Sequence, residues 1–595
     1  MFHNMGLPRY LIIGFMLLTM LASFGRHGGN RSLPHYPTDI KETSNKQFLV
    51  SNKGDKTVVL YPAGFGRPLR VWDFEEAPTG LATRGGYAYV TTFETAGKVH
   101  FLNLQTGEVE KTLATGSGAN TPLLSPDGST LYVLNQFQNS VSKIDVNSRQ
   151  IVATVRVLRE PRAAVIDKEG KFLFVANFLP AQRADLDTVA ARVSVIDLDG
   201  FQKIKDIPLA NGSNALRGMA LSPDNRYVFV THNLGRFGVP TTQLQQGWMN
   251  TSAMGIIDVS TLENAGTVLL DDPERGAAGI WGVNCTANSI VIAHSGTHEV
   301  SLIDYNGFVE KLNAHPNKNA LDFDLTFMQG IRKRILLVGN GPRNFIISGN
   351  KAFVPTYFSD TLNVVNLDDA QIHAVALNPG RVASKVDIGE RVFNDATYCF
   401  QNWQSCNGCH PGDARADGLN WDLMNDGLGN PKNAKSLLYS HVTPPAMISG
   451  IRQSAEMAVR AGFTHIQFAK IPEELANCVD EYLKSLRPVP SPWLVDGKLS
   501  EKAARGKRVY EKLGCGNCHS GPYYTDLQMY RIGKDVEFEK GWDTPALVEV
   551  WRTAPYLFDG RAATMEDVFA LHKHGIYEKL SGKELEELVE YVNSL

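Results

Sequence analysis

The sequence shows no excess of charge of either sign and no clustered basic segment. Its 595 residues include 59 basic and 62 acidic residues, which gives a formal net charge of −3. A nucleic-acid-binding protein needs a clustered basic face. We therefore predict no nucleic-acid partner, and the balanced charge says little about other classes of partner.

The N-terminal apolar run is also too short for a typical membrane-spanning helix, which needs about 20 apolar residues. The run 10–21 follows Arg9 and precedes the small residues Ala22, Ser23 and Gly25. This order of basic, apolar and small residues is typical of a signal peptide. We predict that residues 1–25 are a signal peptide or, alternatively, an N-terminal membrane anchor, and that the protein is periplasmic or otherwise exported.

Cysteine is scarce, with seven residues in the whole chain. Four of the seven belong to two Cys-x-x-Cys-His motifs, at 406–410 and 515–519, so that Cys285, Cys399 and Cys478 remain. Exported proteins often contain disulfides, and Cys399 and Cys478 flank the first motif. The sequence leaves open whether these two form a disulfide or are buried free thiols.

Glycine, in contrast, is abundant, with 53 residues, and a repeated pattern runs from about residue 45 to 388. Seven units of about 40 residues each contain alternating strands and Asp-Gly or Asn-Gly turns, which is typical of propeller blades. We predict an all-β, seven-bladed propeller over 45–388. Strands such as 131–135 (Leu-Tyr-Val-Leu-Asn) and 173–177 (Leu-Phe-Val-Ala-Asn) resemble the YVTN-type propeller family, which implies the fold and no particular activity.

Arginine occurs at equivalent positions in three of the units, as Arg162, Arg217 and Arg343. These positions begin the strand that faces the central channel of a propeller. Three guanidinium groups there predict binding of an anion or of a partner's carboxylates; alternatively, they pair with acidic residues and brace the channel. The units show no repeated tryptophan docking pattern, which argues against a quinone-dependent dehydrogenase.

The strand pattern ends near residue 390 and helical periodicity replaces it. The segment 474–486 resembles 584–595 in character, and each follows a Cys-x-x-Cys-His motif and ends on Ser-Leu. A proline-rich linker lies between the two copies. We predict two tandem all-α cytochrome c-type domains, over 390–490 and 496–595.

The Cys-x-x-Cys-His motif is the attachment site of a c-type haem, because its two thiols add to the haem vinyl groups and its histidine binds the iron. A zinc site would need two more ligands. We predict two covalent haems, one at Cys406, Cys409 and His410 and the other at Cys515, Cys518 and His519.

The segment 544–572 closely resembles the bacterial dihaem cytochrome c peroxidase and MauG-like family. It carries Thr-Pro-Ala-Leu, then Thr-Ala-Pro-Tyr-Leu-Phe-Asp-Gly, then a helix that begins near Met565. The resemblance covers about 390–595 and implies that a residue after this helix is the sixth iron ligand. We expect His572 in that role, with Met565 and His574 as alternatives.

The first copy is predicted to be more degenerate. Thr443-Pro-Pro-Ala aligns with Thr544-Pro-Ala-Leu, and no Ala-Pro-Tyr-x-x-Asp-Gly element is recognisable. Internal symmetry favours His465 as the sixth ligand of the first haem. The alternatives are four other side chains: His441, Met424, Met447 and Met457.

The resemblance also implies an aromatic residue between the haems, for which Trp421 and Trp493 are candidates, and a first haem that reacts with peroxide. We therefore predict an exported dihaem oxidoreductase of this type with the propeller as a binding platform. Its partner is a redox protein or a small-molecule oxidant or substrate, and no catalytic side chain is assigned. The alternative is a non-catalytic electron-transfer protein.

Overall fold

The structure is a computed structural model that describes residues 33–93, 96–239, 249–423, 431–532 and 539–595. The predicted signal peptide or anchor, 1–25, lies outside the described residues. Within them, no helix is long and apolar enough to cross a membrane.

Seven four-stranded antiparallel sheets form the first part of the chain, and each contains four consecutive strands. The strands of blades 1 to 4 are β1–β4 (Pro37–Glu42, Phe48–Asn52, Thr57–Tyr61, Arg70–Asp73), β5–β8 (Pro78–Arg84, Tyr87–Thr92, Lys98–Asn103, Val109–Ala114), β9–β12 (Ala119–Leu124, Thr130–Asn135, Ser140–Asp145, Gln150–Arg156) and β13–β16 (Pro161–Ile166, Phe172–Asn177, Arg192–Asp197, Gln202–Pro208). Those of blades 5 to 7 are β17–β20 (Ser213–Leu221, Tyr227–Gly235, Asn250–Asp258, Glu263–Leu269), β21–β24 (Ile280–Cys285, Ser289–His294, Glu299–Asp304, Arg332–Leu336) and β25–β28 (Ile346–Ser348, Lys351–Thr356, Thr361–Asn366, Ile372–Ala376).

The predicted seven-bladed propeller is confirmed. The first strand of each blade packs against the first strands of its neighbours and lines the centre of the ring. The first blade starts at Pro37, because β1 precedes the repeat that is visible in the sequence. Blades 1 and 7 close the ring through a shared apolar cluster that contains Ile40, Phe48 and Phe353.

After the propeller the chain is mainly helical. Its α-helices, after α1 (Tyr305–Ala314) within blade 6, are α2 (Lys385–Asn394), α3 (Ala455–Ala461), α4 (Glu473–Ser485), α5 (Glu501–Lys512), α6 (Met565–Ala570) and α7 (Gly582–Asn593), with a short turn Pro411–Ala414. This region is not purely helical, because two short strand pairs, Asn420–Trp421 with Lys432–Asn433 and Met529–Tyr530 with Trp542–Asp543, lie within it.

The helical region contains two similar halves, 385–486 and 501–593. In the first, α2 crosses α4 so closely that a Cβ on Gly389 would lie 1.9 Å from the carbonyl oxygen of Cys478. In the second, α5 crosses α7, and a Cβ on Gly506 would lie 1.8 Å from the oxygen of Glu587. An aromatic pair follows one turn after each glycine, namely Phe393 with Tyr482 and Tyr510 with Tyr591.

The two halves contact one another with approximate two-fold symmetry. The amide of Asn433 in the first half donates to the carbonyl of Phe558 in the second at 2.8 Å. The amide of Asp543 in the second donates to the carbonyl of Ile448 in the first at 3.0 Å. Each pair is related to the other by a shift of 110 residues, so the same contact occurs twice with the roles of the halves exchanged.

Candidate haem-binding sites

Both Cys-x-x-Cys-His motifs adopt the same backbone turn. Each begins with a short 3₁₀ helix, Cys406–Gly408 or Cys515–Asn517. In each, the amide of the motif histidine donates to the carbonyl of the first cysteine at 3.0 Å. The turn therefore places the two thiols and the imidazole of each motif on one short segment.

The motif histidines are oriented in the same way. The Nδ1 of His410 donates to the carbonyl oxygen of Arg415 at 3.2 Å, and the Nδ1 of His519 donates to that of Tyr524 at 3.1 Å. Burial lowers the pKa of His410 to about 4 and also lowers that of His519, so that both rings are neutral. A neutral ring held through Nδ1 presents Nε2 as a metal ligand.

The thiols of the first motif contact both the helical region and the propeller. The side-chain amide of Gln467 donates to the Sγ of Cys406 at 3.2 Å, and that of Asn250, in blade 5, donates to the Sγ of Cys409 at 3.3 Å. Burial raises the pKa of Cys406 to about 12 and that of Cys515 to about 11. Burial thus favours the protonated thiol form of these two cysteines.

The predicted sixth ligand of the second site, His572, does not face His519. Its Nε2 lies 3.3 Å from the carbonyl oxygen of Arg561. His574 occupies that position instead, with its ring centroid 6.3 Å from that of His519. Two metal–imidazole bonds of about 2.0–2.1 Å, with the ring radii added, give a separation of about 6 Å.

The corresponding turn of the first half can be located from the backbone. The backbone amides of His572 and His574 donate to the carbonyls five and six residues earlier, respectively. Lys573, between them, has a φ of +53°. The backbone amides of Gln467 and Ala469 likewise donate to the carbonyls five and six residues earlier, and Phe468, between them, has a φ of +49°. Ala469 therefore occupies the position of His574, and Gln467 that of His572.

His465, the predicted ligand of the first site, lies elsewhere. It is exposed on a π-helix, Gly462–Ile466, that has no counterpart in the second half. In the first half, the turn residue Phe468 lies 14 residues after the helix N-cap Ser454. In the second half, the turn residue Lys573 lies nine residues after the N-cap Thr564. These five additional residues displace His465 from the register that a comparison of sequences predicts.

One prediction about the first half is wrong. The Thr-Ala-Pro-Tyr-x-x-Asp-Gly element, 553–560, does have a counterpart, and this is Thr443–Gly450. Met447 and Leu557 both have φ near +72°, and each loop is closed by a β-bridge, Ala446 to Arg452 or Tyr556 to Ala562. The backbone path is retained although the side chains differ, which is why the sequence comparison paired 443–446 with 544–547.

The alternative ligands of the first site are placed as follows. His441 is engaged with Asp480 of α4, its Nε2 lying 3.0 Å from Oδ1. Met457 is half exposed on α3, and Met447 is partly exposed in the loop described above. Met424 lies outside the described residues. None of the histidines in the described ranges forms a ring contact with His410.

The two tryptophans have different surroundings. Trp421 is buried beside Cys409 in a cluster with Met249 and Leu419, and its Nε1 donates to Asp417 at 2.8 Å. Trp493 is 45% exposed. The remaining cysteines, Cys285, Cys399 and Cys478, have free thiols.

A buried ion-pair network links the propeller to both halves. The guanidinium of Arg415 donates to both carboxylate oxygens of Glu549, at 2.8 and 2.9 Å. Arg552 contacts Glu549 at 3.4 Å and Glu160, in the propeller, at 3.3 Å. The carbonyl of Arg415 is the one that accepts from His410, so this network also fixes the first motif histidine.

The chain is similar over part of its length to several known proteins. No protein-family model matches the sequence. Hydrazine synthase subunit gamma of Kuenenia stuttgartiensis is 26% identical over 275 residues, and the match covers 35% of this chain and 77% of that subunit. The beta subunit of the same organism is 23% identical over 238 residues, with 38% of this chain and 59% of the subunit covered. Less than two thirds of the beta subunit is therefore matched.

A third relative is a cytochrome-c peroxidase of Denitromonas iodatirespirans, 23% identical over 312 residues, with 38% of this chain and 85% of the peroxidase covered. Among solved structures, a chain of Kuenenia stuttgartiensis hydrazine synthase superposes with a TM-score of 0.53 at 21% identity. This match covers 58% of this chain and 99% of that chain and supports the fold.

Proposed function

We propose that the chain is an exported dihaem c-type oxidoreductase whose two haems are unequal. The two halves of the helical region are the cytochrome domains, and the propeller is their binding platform. The observation that carries the proposal is the difference between Ala469 and His574 at equivalent positions, each in a half with the same motif turn and the same histidine hydrogen bond.

The residues at both motifs fit a c-type haem. Each site offers two thiols and a neutral imidazole held through its Nδ1, and the second site adds His574 at a separation suited to one metal ion between two rings. Cys406, Cys409 and His410 would hold the first haem, and Cys515, Cys518, His519 and His574 the second. Bound haem supplies one-electron redox chemistry.

The chain's own residues make the first site the reactive one. Ala469 carries no atom that binds iron, whereas imidazole is a strong ligand. Trp421 is buried, and Cys409 is partly buried, among apolar side chains of the propeller and the helical region, which limit the access of water from that side. We assign exchange with a redox partner to the second site and reaction with a small-molecule oxidant or substrate to the first.

Spectroscopy of the half-reduced, full-length protein tests this proposal. With one electron per chain, we expect one haem that responds to H2O2 and one low-spin haem that does not. Replacing Cys406 and Cys409 by serine should remove the responsive haem, and the matched Cys515→Ser and Cys518→Ser protein should retain it. Two low-spin haems that do not react with peroxide would leave only the electron-transfer alternative.

A second candidate activity is a part in hydrazine formation. It is favoured by the similarity of this single chain to both the gamma and the beta subunits of hydrazine synthase. Hydrazine contains one N–N bond, and its formation from ammonia and hydroxylamine with loss of water is balanced in atoms and electrons. Incubation with ¹⁵N-ammonium and unlabelled hydroxylamine should then give singly labelled hydrazine, whereas peroxide turnover without hydrazine supports the peroxidase-type activity.

A further inference from the structure

Three arginines that face the centre of the propeller lie close together. Arg162 and Arg217 belong to β13 and β17, the innermost strands of blades 4 and 5, and Arg343 precedes β25 of blade 7. Arg217 is 6% exposed, and burial together with the charges of Arg162 and Arg343 lowers its pKa to about 9. It therefore remains a cation at neutral pH, with two other cations near it.

Two aromatic rings each contact two of these cations. Phe178 contacts Arg162 and Arg217, with the guanidinium carbons 4.8 and 5.6 Å from its ring centroid. Trp281 contacts Arg217 and Arg343, with the guanidinium carbons 5.4 and 4.4 Å from its ring centroid. The ring faces stabilise the positive charges, but they accept few of the N–H groups, which point in the plane of each guanidinium.

The neighbouring carboxylates are already engaged. Asp413 pairs with Lys53 at 3.5 Å, Glu160 pairs with Arg552, and Glu390 accepts from the hydroxyl of Tyr357. In the described part of the chain, none of the three arginines has a carboxylate within ion-pair distance. The described residues therefore contain no direct ion pair of the kind that the bracing alternative requires, although the charges of Asp413 and Glu160 partly offset the lowering of the pKa of Arg162 by burial.

One guanidinium N–H group among the three arginines is buried without an acceptor. Arg217 donates to the Oδ1 of Asn407 at 2.7 Å and, at 3.5 Å, to the carbonyl of Ala215. The Nε of Arg343 is buried without a hydrogen-bond partner. An unpaired buried donor costs about 1–3 kcal/mol, so this group favours an acceptor from outside the chain.

A narrow polar cleft gives access to Arg217. Its walls are the ends of blades 5 and 6 and the segment that carries the first haem motif, and the residues Asn233, Asn250, Trp281, Asn394 and Asn407 line it together with Arg217. Arg217 is the only charged residue among those that line the cleft. Residues of the segment 403–408 form one side of this cleft, whose free volume is small.

We infer that this cleft binds a small inorganic oxyanion at Arg217, with Arg162 and Arg343 adding positive charge nearby. The planar guanidinium groups provide donors suited to oxygen atoms about a central atom. Arg217 and the motif residue Asn407 connect this anion to the first haem segment. The site is distinct from the iron positions, and it requires no activity of either haem.

Calorimetric titration of the full-length protein with nitrate and with sulfate, in a chloride buffer of constant ionic strength, tests the inference. We expect saturable binding of one anion per chain, a tenfold or greater loss of affinity in Arg217→Gln, and smaller losses in Arg343→Gln and in Arg217→Lys. Arg156→Gln removes an exposed propeller arginine and should bind as the wild type does.

Each result of the titration either supports or overturns the inference. Circular dichroism identifies a variant that does not fold, and in that case Arg217→Lys, which keeps the charge, decides the question. Absence of saturable binding of either anion to the wild type overturns the inference. So does binding that Arg217→Gln and Arg343→Gln leave unchanged, because the anion would then occupy another site. Neither result bears on the haem chemistry proposed above.

Discussion

The two halves of the helical region share the same backbone arrangement, but equivalent residues in them differ in burial. Asp417 in the first half accepts from the amide of Leu419 and the indole of Trp421; Asp526 in the second accepts from the amide of Gln528 and the hydroxyl of Tyr530. The two sets are related by a shift of 109 residues. Burial raises the pKa of Asp417 to about 7, whereas the pKa of Asp526 is lowered by its hydrogen bonds despite partial desolvation.

This difference follows from what covers each half. Blade residues such as Met249 and Val189 pack against the first half around Trp421, and the corresponding Tyr530 of the second half is exposed. The two copies of a duplicated domain thus differ because the propeller buries Trp421 in one copy and leaves the equivalent Tyr530 of the other exposed. The same asymmetry extends to the iron positions, where Ala469 and His574 are equivalent.

The largest expected effect comes from exchanging these two residues. Reduced wild-type protein should bind one carbon monoxide per chain, at the first haem. His574→Ala should raise this to two, because the second iron loses its sixth ligand, and Ala469→His should lower it to zero. The measurement is a carbon monoxide titration followed by absorbance.

The control for this exchange is His572→Ala, which should leave the stoichiometry at one. If His572→Ala doubles the uptake and His574→Ala does not, the sixth ligand is the one that the sequence predicts, and the geometry described here is wrong. Unchanged uptake in Ala469→His would show that the two turns are not functionally equivalent.

The sequence predicts those features that are local. Seven blades are recognisable because each is built from consecutive strands, and the haem motifs because all their groups lie within five residues. The register of the sixth ligand is not local, since five additional residues around the π-helix Gly462–Ile466 change it without changing the turn. Side-chain similarity therefore favoured His572 and His465, and backbone hydrogen bonds favour His574 and Ala469.

Contacts between residues that are far apart in the chain could not be predicted from the sequence either. Arg217 and Asn407 are 190 residues apart, and Arg415 and Glu549 are 134 apart. No periodicity connects such residues, and an arginine or a glutamate has many alternative partners on a surface. The pattern did place Arg162, Arg217 and Arg343 at one end of their strands, and it did not reveal which acids were already paired.

Glu549→Gln should give the second largest effect. Glu549 is 1% exposed and pairs with Arg415 and Arg552. Removing its charge therefore leaves Arg415 without its carboxylate partner and Arg552 with Glu160 alone. Breaking such a buried pair costs about 3–5 kcal/mol. Urea unfolding of the variant, measured at pH 7, should show this loss.

The comparison between the halves supplies the control for Glu549. Tyr439 occupies the position equivalent to Glu549, with φ +62° against +63°, and packs on Tyr523 of the other half at 4.7 Å. An aromatic pair contributes about 0.5–1.5 kcal/mol beyond its buried area. Tyr439→Leu should therefore cost less than Glu549→Gln, and the reverse order would show that the ion pair is not the dominant link.

Asp417 should make stability depend on pH. Its pKa is raised in the folded state, so its contribution is most favourable below the ordinary value of 3.8 and is lost as the pH rises through about 7. Between pH 5 and 8 this amounts to about 2–3 kcal/mol. The urea midpoint of wild type should fall over that range, and that of Asp417→Asn should fall less. Asp526→Asn should leave the slope in this range unchanged, because the pKa of Asp526 is shifted downward.

The smallest expected effect concerns the helix crossings, where the halves are most alike. Gly389→Ala and Gly506→Ala each place a methyl group against a carbonyl oxygen of the crossing helix, and overpacking of this kind costs about 1–3 kcal/mol. Gly582→Ala, whose added Cβ meets nothing within 4 Å, is the matched control and should be neutral or slightly stabilising. Urea unfolding followed at each haem's absorbance would measure the loss. Similar costs in Gly389→Ala and Gly506→Ala would mean that the crossing is equivalent in the two halves, whereas a loss confined to one half would mean that the two crossings differ in how well they accommodate the added methyl group.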